Sequence, residues 1–166
     1  MSQQFPPYSY VPGGRWPHPK SDPAGHSFGK SESAAGSGEW LTSPLFQEAT
    51  ELFNNGFYWE AHEAWETLWH AAGRKGPVAD FLKALIKMAA AGVKVREGRL
   101  EGVRTHAMRA AAIFRQLQES ASAELSRFDL KRLEQRAVSI ATETILPPPE
   151  CREMAVLIVF DWQLSK

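Results

Sequence analysis

The stretch Phe53-Asn-Asn-Gly-Phe-Tyr-Trp-Glu-Ala-His-Glu-Ala-Trp-Glu-Thr-Leu-Trp69 decides how this chain is read. Asn55-Gly56 stops one helix, and from about Tyr58 to Ala72 apolar residues recur at helical spacing until Gly73 ends the run. At about 100° per residue, Tyr58, Ala61, Trp65, Leu68, Trp69 and Ala72 fall on one face. His62 is set at the edge of that face, with Glu66 on its margin. A helix with so aromatic a face must bury it against partners of its own kind, and the flanking sequence supplies them.

Upstream, Ser43-Pro44 reads as an N-cap with proline at the first helical position, and Leu45, Ala49, Leu52 and Phe53 form the stripe behind it. Downstream, Pro77 opens a third helix whose apolar face runs from Phe81 through Met88 and Val93 to a stop at Gly98. Its small residues Ala89, Ala90, Ala91 and Gly92 suggest close helix contact. A fourth runs from about Leu100 to Gln118 on Val103, Ala107, Ala110, Phe114 and Leu117. A fifth follows Ser126 with Leu130, Leu133, Ala137, Ile140 and Ala141 in register, and Pro147-Pro148-Pro149 closes it. The fold class is therefore all-α, a compact bundle of about five helices spanning residues 44–146. Residues 147–166 form a short C-terminal arm, in which Val156–Leu164 reads equally as a strand-like arm or a last turn.

Residues 1–43 differ in kind. Six prolines and six glycines exclude a helix, yet Phe5, Tyr8, Tyr10, Trp16 and Phe28 are more aromatic surface than a solvated tail carries. Residues 5–28 are expected to be an extended arm packed on the bundle, and Gly29–Gly38 a flexible linker.

The 166 residues amount to one domain. Equal numbers of basic and acidic residues, 19 of each, argue against a non-specific nucleic-acid binder, which draws on surplus positive charge. The apolar run Ala155–Phe160 is too short to cross a bilayer, no secretion signal is recognised, and a lone Cys151 forms no internal disulfide, so the expected compartment is cytoplasmic. Charge is uneven within this balance: residues 44–72 carry five glutamates and no Lys or Arg, whereas residues 74–115 are strongly basic. Mutual attraction of the two hairpins is one reading of this, and glutamates held for a cation is the other.

His62-Glu63-Ala64-Trp65-Glu66 has the spacing of the zinc metalloprotease helix motif with Glu in place of the second His. Ligands at i and i+4 share a helix face, and the Glu beside the first ligand is placed to act as general base. Carboxylate oxygen binds zinc and is preferred by manganese and magnesium. The candidate set is thus His62 and Glu66 as metal ligands, His106 on the flank of the fourth helix as a third, and Glu63 as catalytic base, for a divalent metal of the zinc or manganese class. Glu60, nearly opposite His62, is read as solvated or salt-bridged, and His70 as a surface residue. His18, Asp22 and His26 of the arm are metal-competent without a spacing that shows convergence. Cys151 has no histidine near it in sequence, and no Gly-rich phosphate loop is present. The stripe of Lys83, Lys87 and Lys94 reads as a solvated face that can also meet an anion.

Residues 53–69, Phe81–Ala90 and Gly98–Ala110 resemble the bacterial and archaeal family called domain of unknown function 309, whose core pattern Asn-x-Gly-x-Tyr-x-Glu-Ala-His-Glu-x-x-Glu-x-x-Trp is met here from Asn54 to Trp69. The chain departs from the family at Lys87, where many members carry Gln, and around Lys94, near which many carry His. The resemblance covers roughly residues 44–118. It implies an all-helical fold and a predicted metal-dependent hydrolase, with Glu60, His62, Glu63, Glu66 and Trp69 at the motif positions. Three functions follow from the residues: such a hydrolase acting on a small molecule, a helical-hairpin module binding a protein partner, or a buried His/Glu network that only specifies the fold.

Overall fold

The computed structural model describes residues 4–36, 38–145 and 147–164. Ser37 of the expected linker, Leu146 at the expected end of the helical segment, and the outermost residues of both arms lie outside the described residues. The chain forms α1 (Pro44–Asn54), α2 (Tyr58–Ala71), α3 (Pro77–Glu97), α4 (Leu100–Ser120) and α5 (Leu130–Thr142), with 3₁₀ turns at Trp40–Thr42 and Ala123–Leu125 and no strand among the described residues. Among the described residues no helix is long and apolar enough to cross a membrane.

Local chemistry accounts for the helix ends. The Ser43 hydroxyl accepts a bond from the Phe46 amide at 3.2 Å, and Pro44 needs no donor there. Asp129 caps α5 in the same way, accepting from the Arg132 amide at 2.9 Å. Each helix packs on the one before it in sequence, so the short connections produce an up-and-down bundle with α3 between α2 and α4. Trp65, Leu68, Phe81, Leu82, Met88 and Phe114 are fully buried where these helices meet. The close contact expected at Ala89–Gly92 is present at Gly92, where a Cβ would lie 2.6 Å from the Tyr58 ring.

Among the described residues, 4–28 and 147–164 contain no helix or strand, and both arms are tied down by side chains of the bundle. In the N-terminal arm Tyr8, Ser9 and Val11 are buried, Phe5 stacks on Phe57 at 5.2 Å, and Tyr10 meets Trp59 edge-on at 5.4 Å. The packed arm expected from the aromatics is observed, with one correction: Phe28, whose N–H closes a turn on the Gly25 carbonyl, is 48% exposed. In the C-terminal arm Phe160 and Leu164 are buried. Asn54 clasps Leu164 from both sides, its amide donating to the carbonyl at 3.1 Å and its oxygen accepting from the backbone N–H at 2.7 Å. The Val159 N–H donates to the Tyr58 hydroxyl at 3.0 Å. Gly56, at φ +87°, is required twice over: its backbone is left-handed, and a Cβ would lie 2.8 Å from the Leu157 carbonyl oxygen. The arms meet where the Ser9 N–H donates to the Ala155 carbonyl at 2.8 Å.

Candidate metal centre

Because Ala61, Trp65 and Leu68 are fully buried, α2 is locked in rotation, and His62, Glu63 and Glu66 emerge together at the margin of its core face. One ligand atom from each of the three lies within 4.8 Å of the others. His62 Nδ1 is 3.5 Å from Glu63 Oε1 and 4.0 Å from Glu66 Oε2. That nitrogen is buried and has no hydrogen-bond partner. The i,i+4 convergence expected of His62 and Glu66 is therefore present, with Glu63 drawn to the same place.

His106 lies outside this trio of closely spaced atoms. Its Nδ1 is also buried without a hydrogen-bond partner. Burial lowers the pKa of the His106 ring, and the charges of Lys87, Lys94, Arg109 and His62 lower it further.

The N-terminal arm completes the surroundings in a way that periodicity does not reveal. Lys20 Nζ pairs with Glu63 Oε2 at 2.7 Å and with Glu32 at 2.8 Å. Of the two expectations for Glu60, solvated or salt-bridged, the second is met: the arm covers that side of α2, and Glu60 is buried against His26. Its carboxylate accepts from the Ser9 hydroxyl at 2.8 Å and the Tyr10 amide at 2.9 Å, and His26 Nε2 lies 3.0 Å away. Glu60 and Glu63 thus pair with arm residues rather than with the basic hairpin. His18 packs between Tyr10 and Trp59 and accepts from the Lys20 and Ser21 amides through Nδ1, while Asp22 accepts from Ala24 N–H within a turn. The metal-competent side chains of the arm therefore serve its own conformation or Glu60. His70 is exposed, as expected, and Cys151 is buried with its thiol donating to the Arg96 carbonyl at 3.2 Å.

Residues 46–106 match the family model described as Domain of unknown function (DUF309). No curated protein and no solved structure gives a significant match to the chain. The DUF309 match runs from α1 to His106 and so contains His62, Glu63, Glu66 and His106. Both arms lie outside it, and with them Lys20 and the Ser9, Tyr10 and His26 partners of Glu60. A motif search confined to DUF309 positions misses these residues; the sequence signal for them is the arm's aromatic content.

The Glu63 carboxyl is held down to about 2, chiefly by His62 and further by Lys20, against the opposing effect of burial. A carboxyl lowered on folding stabilises the protein above its unfolded value, near 4.5, and loses that contribution as pH falls toward about 2. Lys20→Ala is expected to be less stable than wild type at pH 6 and to lose less on acidification through this window. Melting temperatures measured from pH 6 down to the acid limit check this, and identical slopes for the two proteins would refute it.

Proposed function

We propose that His62, Glu63 and Glu66 hold a divalent cation of the zinc or manganese class, with His106 as a further ligand from α4, and that the protein is a metal-dependent hydrolase. The observation that carries this reading is the buried, unbonded Nδ1 of His62 facing two carboxylate oxygens at 3.5 and 4.0 Å. These separations are long for hydrogen bonds. They suit donors sharing one ion, since bonds of about 2.0–2.2 Å at tetrahedral or wider angles separate two ligand atoms by roughly 3.3–4.2 Å. One nitrogen and two carboxylate oxygens form a donor set acceptable to zinc and manganese alike. A buried polar atom without a partner also calls for a group to satisfy it.

When bound, such an ion supplies Lewis-acid activation of water and of a polarised substrate bond. The chain contributes positioning. Trp65 and Ala61 fix the rotation of α2, so His62 and Glu66 keep their facing geometry. Glu63 would offer Oε1 to the ion, so a part as base falls to its other oxygen, Oε2, which Lys20 holds at 2.7 Å. His62 first and Lys20 further hold Glu63 ionised, so in this arrangement it acts as a fixed negative charge beside His62.

The same Lys20 pair favours a second reading, in which His62, Glu63 and Glu66 form a structural network that fastens the arm. Elemental analysis of protein purified without a histidine tag separates the two. The hydrolase reading expects one zinc or manganese per chain, lost in His62→Ala and in Glu66→Gln. Returning the metal to stripped wild type at about a hundredfold over its Kd should raise Tm by roughly 5–10 °C, from about 2.7 kcal/mol of binding linkage. Wild type with no bound metal and no Tm response to zinc or manganese would leave the structural network as the function of these residues.

A further inference from the structure

Away from α2, a cavity of about 150 Å³ opens between α1, α3, the start of α5 and the C-terminal arm. Its wall is aromatic: Phe46, Phe81, Phe128 and Trp162 line it, with Phe81 and Phe128 ring centres 4.4 Å apart. Arg127, Arg132 and Arg136 stand among the lining residues with a single carboxylate, Asp129. That carboxylate is engaged as the cap of α5 through the Arg132 amide. Arg127 lies over the Phe128 ring at 4.8 Å and donates to the Leu41 carbonyl, and Arg136 lies over the Trp162 ring at 5.3 Å. Among the described residues none of the three arginines is in an ion pair with a carboxylate.

A space of this size between aromatic walls is large enough for one aromatic ring. Arg136, laid on the Trp162 ring, and Arg132, exposed among the lining residues, offer guanidinium N–H donors in the fork that matches a carboxylate. We propose that this cavity binds a small organic acid with a single apolar ring, the ring among Phe46, Phe81 and Phe128 and the carboxylate on Arg132 and Arg136. None of the residues forming it belongs to the His62–Glu63–Glu66 cluster, so the two sites stand or fall separately.

Calorimetric titration of the full chain with 3-phenylpropionate and with its neutral amide, 3-phenylpropanamide, tests this. The acid is expected to bind with a Kd of roughly 1 mM or tighter, in keeping with its few atoms, and the amide about tenfold more weakly for want of the charge-assisted bonds. The double variant Arg132→Gln, Arg136→Gln, altered at the mouth, should bring the acid to the affinity of the amide. Leu133→Trp, which fills the cavity from its half-buried wall, should abolish binding of both, with a melting curve confirming that it is folded. Failure of the acid to bind at about 10 mM, well above the expected Kd, would overturn the proposal. So would equal affinities for acid and amide in wild type, or undiminished binding to folded Leu133→Trp.

Discussion

Gly92→Ala is expected to destabilise the protein by about 2–3 kcal/mol and to lower Tm by roughly 5–10 °C. Helix propensity alone predicts the opposite, because alanine in a helix interior is better than glycine by up to about 1 kcal/mol. Packing reverses the sign. A Cβ at position 92 would lie 2.6, 2.7 and 3.0 Å from three atoms of the Tyr58 ring, and that ring is 1% exposed. Tyr58 cannot retreat easily. Its hydroxyl accepts from the Val159 N–H, and its ring meets Phe53 and Phe160 at 5.2 Å each. The added methyl must therefore push α2 from α3 or loosen the C-terminal arm. Tyr58→Leu, which removes the ring, should make the second substitution cheaper, so the double variant should be more stable than the sum of the two single effects implies. Chemical denaturation of the four proteins measures this, and a Gly92→Ala protein as stable as wild type would show that the α2–α3 interface yields.

Arg96→Ala is expected to cost about 3–5 kcal/mol, comparable to breaking a buried polar pair. The Arg96 side chain is 1% exposed, and Nη2 donates to the carbonyls of Cys151 at 2.6 Å and Met154 at 2.5 Å. Burial pushes its pKa down from the ordinary guanidinium value, with Cys151, Glu60 and Tyr58 opposing that shift. Truncation leaves two carbonyls without their donor and a cavity in place of a long side chain. Arg96→Met retains most of the volume and loses the Nη2 donor together with Nε and Nη1, which are buried without partners among the described residues, so it should cost about half as much or less. Because the two acceptors belong to the C-terminal arm, protease cleavage within residues 147–164 should rise in Arg96→Ala before the bundle melts. Equal, small losses in both variants, with no change in cleavage, would show that the arm is held elsewhere.

The five helices were legible because their signals are local. Ser43-Pro44, Asn55-Gly56, Pro77 and Gly98 act on neighbouring backbone, and the apolar stripes repeat every three or four residues along one element. The i,i+4 approach of His62 and Glu66 was legible for the same reason, since helix geometry carries it without a partner. Other features rest on contacts that no period announces. The position of Glu60 opposite His62 leaves solvated and salt-bridged open, and its burial is decided by Ser9 and His26, 51 and 34 positions away in sequence. Arg96 sits in the last turn of a helix, where a basic residue is ordinarily solvated, and is buried because the C-terminal arm passes over it. Lys20 reaches Glu63 from an arm whose prolines exclude periodic structure, so its aromatics foretold packing without foretelling which face it would cover. The chain by itself determined the helices, their ends and the His62–Glu66 pair, because these depend on backbone chemistry within about one turn. Only the tertiary structure decided which charges are buried and where both arms lie, because those outcomes depend on the desolvation of groups brought together from distant parts of the chain.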